Sequence, residues 1–177
     1  MTALLTTRGE GDICTRYRPR RMSEIVGSKA AVKALSNALK MGANRPKAYL
    51  LFGDSGCGKT TAARIMAMGL NCEKGDTPEP CLECDSCKMA LDGTALHITE
   101  LNMADLNKKE DAEGILQEMG LRPWSGRTSF YIFDEASKVP DEIFEVREGG
   151  TIGGEPMTFD FGNPTRNSGR FFEECEG

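Results

Sequence analysis

Gly53-Asp54-Ser55-Gly56-Cys57-Gly58-Lys59-Thr60 follows directly on the apolar run Ala48-Tyr49-Leu50-Leu51-Phe52 and leads into a helix-forming stretch over 60–70. The octet fits G-x-x-x-x-G-K-[ST] at every fixed position. A glycine-rich loop can match such a pattern by chance, but a buried strand before it and a helix after it are the context the pattern demands. Glycine lets backbone N–H groups turn inward around phosphates where a Cβ would collide. Lys59 is expected to reach the β- and γ-phosphates and the Thr60 hydroxyl to ligate Mg²⁺. The helix that follows adds its positive end to the anion site. Gly53, Ser55, Gly56, Cys57, Gly58, Lys59, Thr60 and Thr61 are therefore the candidates for contact with a nucleoside triphosphate such as ATP, with Cys57 read as a small filler rather than a nucleophile.

A second element supports the first. Phe130-Tyr131-Ile132-Phe133-Asp134-Glu135 is a hydrophobic strand that delivers two adjacent acids. An apolar run ending in Asp-Glu is a weak signal alone and a strong one downstream of a phosphate loop. Asp134 is expected to hold Mg²⁺ through water, and Glu135 to polarise the water attacking the γ-phosphate, because phosphoryl transfer needs positioning and charge neutralisation above all. Asn163, at the end of a last strand over 157–161, is a third candidate. It could reach the γ-phosphate or the attacking water, or simply form an Asn-Pro turn.

Outward from these motifs the chain reads as alternating strands and helices. A helix is expected over 28–41, with Ser28 as N-cap and Val32, Leu35 and Leu39 on one face. The run Ala48–Phe52 suits a strand buried on both faces of a parallel sheet. Further strands are expected over 96–101 and 129–133. A helix is expected over 108–119 with Gly120 as its C′ residue, and a short one opening at Pro140 and ending near Glu148. This order predicts an α/β P-loop NTPase: an open parallel sheet with helices on both faces and ligands at the carboxyl ends of its strands. The 177 residues suffice for one such domain. With 39% apolar and 28% charged residues, neither disorder nor a membrane span is indicated. Met1 to Asp12 lacks a signal-peptide profile, so a cytoplasmic protein is expected.

Seven cysteines in such a chain argue for metal or reactivity rather than disulfides. Cys72, Cys81, Cys84 and Cys87 are spaced C-x8-C-x2-C-x2-C, which suits tetrahedral Zn²⁺. The surrounding insertion, 72–93, has too few apolar residues to fold unaided, and a structural metal would supply the missing stability. An iron–sulfur cluster is the poorer reading, since nothing else in the chain suggests redox work. Cys14 and Cys175 are isolated, and His97 reads as a packing or surface residue in a strand. The net charge of −5 gives no global pull toward nucleic acid. One basic cluster exists around Tyr17 and Pro19, formed by Arg16, Arg18, Arg20 and Arg21, within an arm over 1–22.

Taken together, Tyr17-Arg18-Pro19-Arg20, Val26-Gly27, Ala34-Leu35-Ser36-Asn37-Ala38-Leu39, the phosphate loop, Leu70-Asn71-Cys72-Glu73-Lys74-Gly75 and the cysteine knuckle resemble the motor subunit (gamma/tau) of the bacterial DNA polymerase III clamp loader, over about 14–136. That family is AAA+ and uses ATP to open a sliding clamp and close it around primed DNA. The resemblance implies that Tyr17, Arg18, Pro19, Val26 and Gly27 lie against the nucleotide, so the arm belongs to the ATP pocket. It also implies other clamp-loader subunits, the sliding clamp and primed DNA as partners in a hetero-oligomer.

The family's sensor strand, arginine-finger motif, lid and collar do not follow Asp134-Glu135. Residues 134–172, including Gly162-Asn163-Pro164-Thr165-Arg166, are instead similar to the ATPase of a phage large terminase subunit. The chain reads as a P-loop domain over 23–172, with the knuckle inside it and a terminase-like segment over 134–177 completing or capping the sheet. Three functions are open on this reading. They are a truncated clamp-loader ATPase that turns over only when assembled, a DNA-packaging terminase ATPase, and a non-hydrolysing nucleotide-binding assembly module.

Overall fold

A computed structural model describes residues 16–102, 114, 126–134 and 157–162, the last six and Asp134 by their backbone. Of the expected helix over 108–119 only Gly114, helical and exposed, is among these residues. The expected helix over 140–148 lies outside them, as do Glu135, Asn163, Arg166, Cys14 and Cys175.

The arm turns through a short 3₁₀ segment at Met22–Glu24 before the first helix, α1 (Lys29–Lys40). Its length matches the apolar spacing, and Leu35, Ala38 and Leu39 are buried, with Val32 packed beside them. The expected cap at Ser28 is not made. Gly27 and Ser28 both take positive φ, 93° and 41°, and the Ser28 side chain makes no cap bond. Its carbonyl still accepts the first helical bond, from Val32 N–H at 3.0 Å. Lys40 in the last turn lies at the negative end of the helix.

β1 (Ala48–Phe52) then enters the phosphate loop, and α2 (Lys59–Asn71) leaves it. From Ala62 onward every residue of α2 except Arg64 is buried, which its many Ala, Gly and Met side chains permit. α3 (Asp85–Leu91) lies within the cysteine-rich insertion. β2 (Ile98–Asn102), β3 (Phe130–Asp134) and β4 (Met157–Gly162) complete the described elements. β2 begins two residues later than the pattern suggests, so His97 lies in the turn before it. There it is buried, at 2% exposure, and its carbonyl oxygen accepts the Phe130 N–H at 2.8 Å.

The four strands form one parallel sheet in the order β1-β4-β3-β2. β1 is an end strand in that order. Its burial is also less than its apolar run suggests: Ala48 is exposed and Phe52 is 62% exposed, Leu50 is half-buried, and Tyr49 and Leu51 pack against the core. The core joins Met22 of the arm, Leu35, Ala38 and Leu39 of α1, the buried face of α2, and Phe130 and Ile132 of β3. Each fully buried Leu, Ile, Met or Phe in it is worth about 1.5–3 kcal/mol of transfer free energy.

Because all four strands run the same way, their carboxyl ends share one edge. Phe52 is paired with Gly162 there, and Asn102 with Asp134. The edge places the start of the phosphate loop and the acid at the tip of β3 one strand apart, across β4, or about 9.5 Å in strand spacings. Ligands of open parallel sheets bind at such an edge, where strand order reverses.

Candidate nucleotide and metal sites

The phosphate loop spans the turn between β1 and α2. Gly53, Gly56 and Gly58 have φ of 143°, 80° and 97°, which L side chains rarely adopt. At Gly56 and Gly58 the requirement is one of backbone conformation, since a Cβ there would meet no protein atom within 4 Å. At Gly53 a Cβ would also come 3.2 Å from the Sγ of Cys57, which is exposed.

Lys59 Nζ folds back over the loop and donates to Gly53 O at 2.7 Å and Asp54 O at 3.0 Å. A phosphate group offers the same ammonium stronger, charged acceptors. Gly58 is the N-cap of α2 and supplies no side chain to its first turn, which holds no acid either. The N–H groups of Lys59, Thr60 and Thr61 thus begin the helix without a side-chain acceptor, the arrangement that favours an anion. Ser55 is exposed on the same loop.

Asp134 ends β3, on the edge that carries this loop. Glu135 and Asn163 lie outside the described residues. Their chain neighbours are Asp134 and Gly162, and Gly162 is paired with Phe52, the residue before the loop.

The arm runs over the molecule toward α1. Tyr17 is 65% and Val26 99% exposed, and Gly27 is exposed beside Val26. Arg18, Pro19 and Arg20 line a cavity of about 420 Å³ with Arg64 of α2 and Glu100 of β2, which are themselves ion-paired. No residue of 53–60 lines that cavity.

The four cysteines of the insertion are brought together. Their sulfur atoms all lie within 4.8 Å of one another, and those of Cys81 and Cys87 are 4.0 Å apart. Tetrahedral Zn²⁺ with bonds of about 2.3 Å needs sulfurs about 3.8 Å apart, so the set fits the ion with little adjustment. Cys72 caps the C-terminus of α2 and Cys84 the N-terminus of α3, with Cys87 one turn into α3. Cys72 and Cys87 are fully buried. Backbone N–H groups of Glu83 and Cys84 hold the Cys81 thiol down to about 6, and burial pushes the Cys87 thiol up. Among the described residues this is the one group of three or more Cys, His, Asp or Glu side chains arranged to hold a metal.

The model of the family described as DNA polymerase III, delta subunit, matches residues 27–143, well over half of the chain. The chain belongs to this family. Among its curated relatives, the DNA polymerase III subunit tau of Escherichia coli (strain K12) is 37% identical over 134 residues, covering 76% of this chain and 21% of that protein. The subunit gamma of Buchnera aphidicola subsp. Acyrthosiphon pisum is also 37% identical over 134 residues, with 76% and 37% coverage. The chain thus spans about a fifth of the tau relatives and about a third of the gamma ones, and its likeness is to the gamma/tau clamp-loader subunits. Among solved structures, the Thermotoga maritima RuvB Holliday junction branch migration motor aligns with 84% of this chain and 42% of its own, at a TM-score of 0.52 and 22% identity. The likeness is one of fold, a parallel sheet with a phosphate loop between a strand and a helix.

Three residues of this DNA polymerase III family member, Asn71, Arg127 and Asp76, make contacts that carry no sequence signal, because most of their partners lie far apart in the chain. Asn71 Oδ1 accepts the N–H groups of Arg127 at 2.7 Å and Thr128 at 3.0 Å, and its amide donates to Ala67 O and Thr128 O. Arg127 donates to Leu70 O at 2.7 Å and Cys72 O at 2.9 Å and pairs with Asp76 at 3.0 Å. Asp76 also pairs with Arg45, at 2.8 Å. The end of α2, the first knuckle cysteine and the entry to β3 are therefore tied into one polar cluster.

Proposed function

We propose that this chain is the ATP-binding portion of a DNA polymerase III-type clamp-loader subunit, acting in DNA replication in the cytoplasm. The observation that carries the reading is the phosphate loop: three left-handed glycines and an uncapped helix start, on the sheet edge that also bears Asp134. Membership of the family supports the assignment to replication. No helix of the described residues is long and apolar enough to cross a membrane.

On this reading Gly53 to Thr61 embrace the triphosphate, with Lys59 exchanging its loop carbonyls for phosphate oxygens. Thr60 and Asp134 would hold Mg²⁺, which supplies charge neutralisation on the phosphates. Tyr17, Arg18, Pro19, Val26 and Gly27 would bound the nucleoside. In hydrolysis Glu135 accepts a proton from the water that attacks the γ-phosphorus, as the bond to the β-phosphate oxygen breaks and ADP leaves. The pairing of Gly162 with Phe52 supports Asn163 as the polar residue beside the γ-phosphate, supplied by the 134–177 segment. Cys72, Cys81, Cys84 and Cys87 would hold structural Zn²⁺. Turnover is expected to depend on assembly with other clamp-loader subunits, on the sliding clamp and on primed DNA.

Titration of Mg²⁺-ATP by calorimetry, wild type against Lys59→Ala, tests the site. Binding should be lost in the variant, and equal binding would sink the assignment. ATPase assays with and without clamp and primed DNA, added to the assembled loader, test the coupling. Turnover indifferent to both would leave an ATP-binding module without the clamp-loading role.

A further inference from the structure

The arm is held by the cysteine-rich insertion rather than by the sheet alone. Met22 N–H donates to Pro78 O at 3.0 Å, and Arg21 Nε to Pro80 O at 3.4 Å. The Glu79 carboxylate takes both donors of Ser23: its backbone N–H at 3.0 Å and its hydroxyl at 2.8 Å. Arg21 and Met22 of the arm and Ser23, the residue after it, are thus matched to three successive residues of the insertion, and Pro80 is the immediate neighbour of Cys81. Met22 anchors the same stretch in the core at 1% exposure.

Two features extend this docking toward the nucleotide. α2 runs from the phosphate loop to Cys72, a length of about 20 Å for its 13 residues, so the knuckle sits at the far end of that helix. On the reading that Val26 and Gly27 bound the nucleoside, the same segment continues from Ser23 toward the nucleotide. Gly27 is four residues beyond Ser23, within about 13 Å of extended chain.

We propose that Glu79 is a positioning residue for nucleotide binding: by clamping Ser23 it fixes the arm with Tyr17 and the segment after it with Val26 and Gly27, and so links Zn²⁺ in the cysteine site to ATP affinity. The inference rests on the reading that the arm bounds the nucleoside. Loosening of the Pro78–Pro80 strip, whether by loss of the ion or of the carboxylate, frees the arm. A freed arm pays ordering entropy each time ATP binds.

The experiment uses the full chain, zinc-loaded, and measures three things: zinc content, the Kd for Mg²⁺-ATP, and the rate of tryptic cleavage after Arg20 and Arg21. Glu79→Ala is expected to keep one zinc, raise Kd about fivefold for the loss of two hydrogen bonds, and speed cleavage. Glu79→Gln, whose amide can still accept from Ser23 N–H and donate to its hydroxyl oxygen, should stay near wild type. A zinc-selective chelator in excess Mg²⁺ should raise Kd in wild type and add little in Glu79→Ala. Unchanged Kd and cleavage in a zinc-loaded Glu79→Ala chain overturn the proposal, as does zinc depletion that leaves the wild-type Kd unmoved. Should Glu79→Ala lose its zinc or fail to fold, Ser23→Ala leaves the insertion intact. It must weaken ATP binding in the same direction, and no change there overturns the link. Lys59→Ala run alongside separates the two readings, since ATP binding unaffected by that change refutes the phosphate site and not the docking of the arm, which the cleavage rates report.

Discussion

Gly69 lies on the buried side of α2, where the insertion crosses it. A Cβ built there would stand 2.1 Å from the Thr77 carbonyl oxygen, whose residue also donates its N–H to Gly69 O at 3.3 Å. In an exposed helix, Gly to Ala stabilises by about 1 kcal/mol. Here the sign is reversed: Gly69→Ala should destabilise by about 1–3 kcal/mol, because backbone cannot swing aside as a side-chain tip would. Urea unfolding measures it, and a more stable variant would show that the insertion does not lie where the structure has it.

His97 makes a different case at the same scale. Its burial lowers its pKa below the ordinary 6.5, so the folded chain resists protonation that the unfolded chain accepts. Stability is therefore at its full value above about pH 6.5 and falls as the pH drops below it, levelling off beneath the lowered value. Thermal midpoints measured from pH 7.5 to 5 should show that decline, and His97→Gln should flatten it.

At the scale of elements, the decisive contact is the one that fastens the end of α2 to the start of β3. Asn71 is buried with both its oxygen and its amide nitrogen fully used. Asn71→Asp puts a carboxylate oxygen against the Ala67 and Thr128 carbonyls. It should cost about 2–4 kcal/mol and reduce amide-exchange protection in α2 and β3 together. Protection lost in one element alone would mean that the two are not coupled there. None of this was legible from the sequence, whereas β1, α2 and the loop between them were. Those rest on local patterns: an apolar pentad, glycines at fixed spacing, and a helical run. The knuckle was legible for the same reason, through cysteine spacing. Non-local facts were not. The run Ala48–Phe52 reads as a doubly covered strand, and only the sheet order reveals it as an end strand. Ser28 has the right chemistry for a cap, and only the left-handed backbone shows that its side chain is not used. Glu79 meets Ser23 across 56 positions, a separation over which no periodicity speaks.

For the molecule as a whole, the insertion joins regions that would otherwise meet only through the core: the arm at Ser23, the loop before β1 at Arg45, α2 at Gly69 and the approach to β3 at Arg127. Few apolar side chains secure the insertion itself, so a metal ion held by Cys72, Cys81, Cys84 and Cys87 would secure all of them. Removal of Zn²⁺ should lower the melting temperature by several degrees and broaden the transition. Lys59→Ala should leave the melting temperature of the ATP-free chain almost unchanged. Calorimetric scans of the two samples give the comparison, and equal, sharp transitions with and without zinc would contradict it.

The position of β4 bears on how the chain is made. It is the last described strand to leave the ribosome, yet it is paired on both sides, with β1 and with β3. Until residues 157–162 emerge, the nascent sheet holds β1 apart from the β2–β3 pair and presents open, apolar strand edges on either side of the gap. Biosynthesis thus passes through a stage in which the nucleotide loop and the acid strand are already translated but not yet joined, and that stage is where a holdase chaperone would find this protein.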